Sequence, residues 1–170
     1  MRGVGFVYYS RTGCTRRLVE KLVLEVRSRG VGVGVHEVRM VKEYSPPLHL
    51  NPRLFIDTVV GRRVEIVVEP EYRGFDYVLT VLATPIWFGR PAPAIRQFAE
   101  EHRGRGIDVV CIATSAIGRG YVEALRRVLE EYGYRVHACL DAKEDRLEDL
   151  HVNTVLRVYR ELLESSKAKT

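Results

Sequence analysis

A chain of 170 residues that is 46% hydrophobic and 29% charged has enough apolar material for one domain with a core and a ligand pocket, and shows no repeat or low-complexity tract. Its longest apolar runs are of strand length and no charged-then-apolar leader opens it, so a cytoplasmic protein without a membrane span is expected. The net charge of +5 comes mostly from arginine, but no basic run with interleaved aromatics accompanies it, and nucleic acid is not expected as a partner. The three cysteines, Cys14, Cys111 and Cys139, are widely spaced and the histidines are scattered, which predicts neither a metal site nor a disulfide framework.

Gly3 to Tyr9 is an apolar run, the hydroxyl-rich turn Ser10–Thr15 follows it, and Leu18, Val19, Leu22, Val23 and Val26 then mark one face of a helix that Gly30 ends. Val31 to Val38 mostly alternates, the pattern of a strand with one exposed face or at a sheet edge. Between Met40 and Gly74 the pattern weakens. Asn51-Pro52 resembles a helix start, a short helix to about Val60 is expected, and Arg62 to Glu69 reads as extended. Asp76 to Ala83 is a nearly continuous apolar strand, Thr84 to Pro93 a long turn with two aromatics, and Ile95, Phe98, Ala99 and His102 a helical stripe. Ile107 to Thr114 repeats the apolar strand, Ser115 to Gly120 the turn, and Val122 to Tyr132 the helix; an alternating strand around Val136 to Leu140 and a helix from Leu147 to Leu162 complete the chain. Cys111 and Cys139 fall in strands as small packing residues.

Strands alternating with helices predict an α/β fold with a doubly wound, five-stranded parallel sheet. Strands one, three and four are continuously apolar and should be buried on both faces, whereas two and five alternate and should lie at the edges, which gives the order 2-1-3-4-5. A single domain over residues 1–165 is expected, with 166–170 as a frayed tail. In that order the switch point falls between strands one and three, so a ligand should sit where the loops after strands one, three and four converge.

The first of those loops opens a helix, where unpaired amides and the helix dipole favour an anion and where Ser10, Thr12 and Thr15 add hydroxyls. Taken alone, such a turn is more often an ordinary helix cap than an anion site. Cys14 in an anion loop would suit a phosphatase nucleophile, but Glu20 stands where that chemistry needs an arginine. The second loop offers Trp87 and Phe88, and each of the three loops carries one arginine: Arg11, Arg90 and Arg119.

Ser10-Arg11-Thr12-Gly13-Cys14-Thr15 resembles the phosphate loop of the flavodoxin-like family, and Tyr77 to Phe98, with Thr84 to Pro93 at its centre, resembles that family's loop after the third strand. The resemblance spans nearly the whole chain, is weakest over Met40 to Gly74, and is to the short-chain form. It implies non-covalent FMN. The phosphate would lie on Ser10, Arg11, Thr12, Gly13, Cys14 and Thr15, and the ring system between Pro85, Ile86, Trp87, Phe88 and Gly89 on one side and Thr114, Ser115, Ala116, Ile117 and Gly118 on the other. Gly89 or its neighbour would supply the peptide that reorients as the flavin gains a proton. The same resemblance implies an electron carrier or an NAD(P)H-dependent reductase, with NAD(P)H or an acidic redox protein as partner, and an oligomer is compatible with it. Cys14 replaces an asparagine common in the family, Thr114–Gly120 lacks the family's usual acidic residue and aromatic, and the chain is basic where flavodoxins are acidic. A flavin-free binding module of the same fold is the alternative. If the three loop arginines ring the flavin, its anionic reduced form should be favoured.

Overall fold

Seven residues of near-unbroken apolar character, Gly3–Tyr9, form strand β1, buried along its whole length. In this computed structural model, which describes residues 3–104 and 106–168, the chain then forms α1 (Cys14–Ser28), β2 (Val33–Met40), α2 (Pro52–Val59) and β3 (Ile66–Glu69). The elements that follow are β4 (Tyr77–Trp87), β5 (Arg90–Pro91), α3 (Pro93–His102), β6 (Asp108–Ser115), α4 (Val122–Glu131), β7 (Arg135–Lys143) and α5 (Asp149–Lys167). The expected tail therefore continues α5 to Lys167, and residues 169 and 170 lie outside the described residues.

The sheet has seven strands in the order β3-β2-β1-β4-β6-β7, with β5 paired to β4. The five strands β2, β1, β4, β6 and β7 pair in parallel and reproduce the expected 2-1-3-4-5 arrangement. Two short strands were not foreseen as such. The extended segment before Pro70 pairs antiparallel with β2, from Glu37↔Glu69 to Met40↔Ile66, so β2 is not an edge. The alternation of β2 thus reflects its side chains and not an unpaired backbone. The other addition is β5, which closes a hairpin on the end of β4.

Because side chains alternate across a strand, β1 sends Val4, Phe6 and Tyr8 to one core and Val7 and Tyr9 to the other. The first core is covered by α1 and α5 and the second by α3 and α4, which buries the sheet on both faces. Tyr77, at the start of β4, lies where Cβ atoms on Gly5 and Gly34 would stand, so its ring crosses two glycines without steric cost. Its hydroxyl donates to Nε2 of buried His36 (2.7 Å), while His36 Nδ1–H donates to the Pro70 carbonyl (2.8 Å), pinning the turn that leads out of β3. Asn51 caps α2 through its side-chain oxygen, which accepts the Leu54 amide at 3.1 Å, with Pro52 in the first turn as its sequence predicts.

Cys111 and Cys139 face each other in the β6–β7 register with Cα atoms 4.6 Å apart, and they form a disulfide. This corrects the reading of both as plain packing residues. Sequence spacing could not show it, because parallel neighbours separated by a helix bring distant positions side by side.

Candidate functional site

β1 ends at Tyr9, and the next four residues turn sharply into α1. Gly13 makes the turn at φ 91, a conformation in which a side chain would be strained, and its amide donates to Ser10 Oγ at 3.1 Å. Among the described residues no side chain caps α1, and its first turn contains no acidic residue, so the positive end of the helix remains available to an anion. Arg17 donates to Cys14 Sγ at 3.3 Å and pairs with Asp145 at 2.8 Å, holding that side of the loop against the segment after β7.

The loop after β6 repeats the same device. Ser115 Oγ accepts the Gly118 amide at 2.8 Å, and Gly118 has φ 73. A Cβ at Gly118 would meet the backbone of Lys143, so the loop lies directly on the end of β7. The Asp141 carboxylate accepts the amides of Gly120 and Tyr121 (2.8 and 3.3 Å), and the Tyr121 ring packs against the core and not towards the loops.

Between the two loops, β4 ends in a two-residue turn, Phe88-Gly89, with φ values of 50 and 75. Positive φ at both positions is what a tight hairpin that follows strand twist requires, and it explains why β5 returns to pair Trp87 with Arg90. Trp87 is held edge-on by Tyr9 (5.7 Å) and Tyr44 (5.9 Å). The Tyr9 hydroxyl donates to Glu43 at 2.7 Å and that of Tyr44 to buried Asp57 at 3.0 Å. Burial first, and the neighbouring carboxylate second, hold both phenols well above their ordinary pKa, so they remain neutral donors.

At their roots the three loops are joined by threonines. Thr114 Oγ1 donates to the Thr84 carbonyl at 3.2 Å, which leaves Thr15 Oγ1 to donate to Thr114 at 2.7 Å, while Thr84 Oγ1 accepts the Ala92 amide at 3.2 Å. Above this chain lies a cavity of about 290 Å³. Its wall is formed by Ser10, Arg11, Thr12, Cys14 and Thr15 from the first loop, Pro85, Ile86 and Trp87 from the second, and Thr114, Ser115 and Ala116 from the third. Gly13, Phe88, Gly89, Ile117 and Gly118 shape the turns but do not line it; Ile117 is 61% exposed. Glu144, at φ 51 after β7, also lines the cavity.

No protein-family model matches the chain, and no curated protein matches it. Solved structures do. A Lactobacillus acidophilus flavoprotein in complex with FMN aligns with TM-score 0.69 and 21% identity, over 82% of this chain and 92% of the other. Megasphaera elsdenii flavodoxin in its two-electron reduced state aligns at 0.56 and 15%, over 83% and 86%. A flavodoxin from the domain Archaea aligns at 0.54 and 14%, over 96% and 99%. The chain has a flavodoxin-like fold.

Within this flavodoxin-like frame the three loop arginines do not ring the cavity. Arg11 alone lines it, and its guanidinium turns away to donate to the Tyr44 carbonyl (3.2 and 3.0 Å) and lies 3.6 Å from Glu43. Arg90 lines a different cavity. The expected electrostatic bias from a ring of arginines therefore lacks its geometry. Tyr44 and Glu43, which brace Trp87 and Arg11, sit in the weakly patterned stretch after Met40, where no local periodicity marks them. Glu144 is equally silent in sequence, since only the β6–β7 pairing and the Glu144 amide bond to the Ser115 carbonyl (2.9 Å) bring it to the site.

Proposed function

We propose that this protein binds FMN non-covalently and acts as a redox protein, passing electrons from NAD(P)H or an acidic redox partner to an acceptor. One observation supports this above the others: the uncapped start of α1, the aromatic wall at Trp87 and the third loop line one cavity at the topological switch point. The residues fit the group. The phosphate would take the free amides of the first turn of α1 together with Ser10, Thr12 and Thr15, and the ring system would lie between Trp87 and Thr114–Ala116. Thr15 can redirect its proton to the phosphate, because Thr114 keeps its own bond to the Thr84 carbonyl. Bound flavin would supply the electron chemistry, and the chain supplies orientation, an apolar wall and the local field. The chain's net charge of +5 supports an anionic donor or partner.

The absorbance spectrum of the purified protein, before and after adding FMN, tests the binding. A flavin spectrum perturbed from that of free FMN is the expected result. Anaerobic NAD(P)H then divides the roles, since direct bleaching marks a reductase and bleaching only through a second enzyme marks a carrier. A colourless protein that takes up no FMN would leave a flavin-free binding module.

A further inference from the structure

A second cavity, of about 520 Å³, lies between the end of α2, the β4–β5 hairpin, α3 and α4, and shares no lining residue with the first. Three guanidiniums line it, Arg90 from the hairpin, Arg96 from α3 and Arg127 from α4, against one carboxylate, Glu131. Arg127 has a partner on its own helix, Glu123 at 3.3 Å, but no ion pair among the described residues engages Arg90.

Among the described residues, two buried polar atoms of its lining residues lack partners. Thr58 is only 4% exposed and its Oγ1 makes no hydrogen bond. Arg96 donates through Nη2 to the Arg62 carbonyl, yet its Nε–H is buried without an acceptor. Both atoms are closed off from solvent, so they lie behind the cavity wall and do not meet a ligand in it. Gly61 keeps the arrangement open, since a Cβ there would come within 3.2 Å of Arg96 Nη1.

We propose that this cavity binds a phosphate-bearing nucleotide. Guanidinium forks match phosphate oxygens and make charge-assisted hydrogen bonds, and the cavity draws Arg90, Arg96 and Arg127 from three elements. The volume exceeds what a bare phosphate fills and lies in the range of roughly 300–1,000 Å³ typical of small-molecule sites. Glu131 supplies the acceptor that sugar hydroxyls require.

Calorimetric titration of the full chain with ADP, and separately with inorganic phosphate, tests this. ADP should bind at least about ten-fold more tightly than phosphate, and Arg90→Gln and Arg127→Gln should each weaken ADP about ten-fold, the loss of a charge-assisted hydrogen bond. Both residues are exposed, so folding is expected to survive, and circular dichroism checks it. The proposal is overturned if ADP gives no binding at millimolar concentration, if the Arg90→Gln, Arg127→Gln double variant binds it unchanged, if phosphate binds as tightly as ADP, or if FMN displaces it competitively.

Discussion

Thr15 and Thr114 stand 99 positions apart in the chain, yet their hydroxyls meet at 2.7 Å and tie the start of α1 to the end of β6. Both are buried, and the bond completes a relay that ends on the Thr84 carbonyl. Thr15→Val removes the donor and leaves Thr114 one partner short, which should cost about 1 kcal/mol of stability. The same variant should weaken FMN roughly ten-fold while leaving riboflavin, which has no phosphate, nearly unaffected. Thr15→Ser should restore both. Fluorescence titration with the two flavins separates these outcomes, and equal losses for FMN and riboflavin would refute a phosphate role for Thr15.

Trp87 is braced edge-on between Tyr9 and Tyr44, so it meets a ligand in a fixed orientation. An aromatic contact of this kind contributes about 1 kcal/mol beyond area burial, and with the lost burial added Trp87→Ala should weaken FMN and riboflavin alike by roughly ten-fold. As the single tryptophan, it should also lose its fluorescence when flavin binds. Emission that stays constant during flavin uptake would place the ring elsewhere.

Glu144 brings a carboxylate to the wall of a cavity proposed to hold a phosphate. Its exposure reduces the repulsion, so Glu144→Gln should tighten FMN by about two- to five-fold at low ionic strength, with the gain fading as salt screens it. Riboflavin affinity should not change. Dissociation constants at two salt concentrations provide the check.

The Cys111–Cys139 disulfide spans a sequence separation of 28 and staples β6 to β7 beneath the third loop. Closing a loop of that length restricts the unfolded chain by about 3–4 kcal/mol in the entropic account. Denaturant unfolding with and without reductant should show a loss of about that size, and mass spectrometry after alkylation under non-reducing conditions should find only Cys14 modified.

Glu37 on β2 pairs with Arg16 from α1 and with Arg39 at 2.8 Å, and its side chain is 12% exposed. Burial alone would raise its pKa, but the two guanidiniums outweigh burial and hold it below the ordinary value of 4.5. With the folded pKa depressed, the stabilisation is complete above about pH 4.5 and is lost as pH falls through the folded value. The unfolding temperature should therefore drop in acid. In Glu37→Gln, which should be about 1 kcal/mol less stable at neutral pH, that acid dependence should be shallower.

Local pattern alone determined the α/β class, the five parallel strands and their order, because strands buried on both faces must read as unbroken apolar runs and each is followed by a loop and an amphipathic helix. It also marked the turns after β1 and β6, but the expected long turn Thr84–Pro93 is mostly strand, since β4 runs on to Trp87 and β5 pairs back at Arg90, leaving only Phe88-Gly89 to turn. Pairing between distant segments decided the rest. The edge strand β3, the Cys111–Cys139 bond, the bracing of Trp87 by Tyr44, the turning of Arg11 towards Glu43 and the arrival of Glu144 at the cavity all join positions whose own neighbourhoods carry no sign of the partner. The same is true of Arg90, Arg96 and Arg127, three ordinary surface charges in sequence that only the packing of a hairpin against two helices gathers around one cavity.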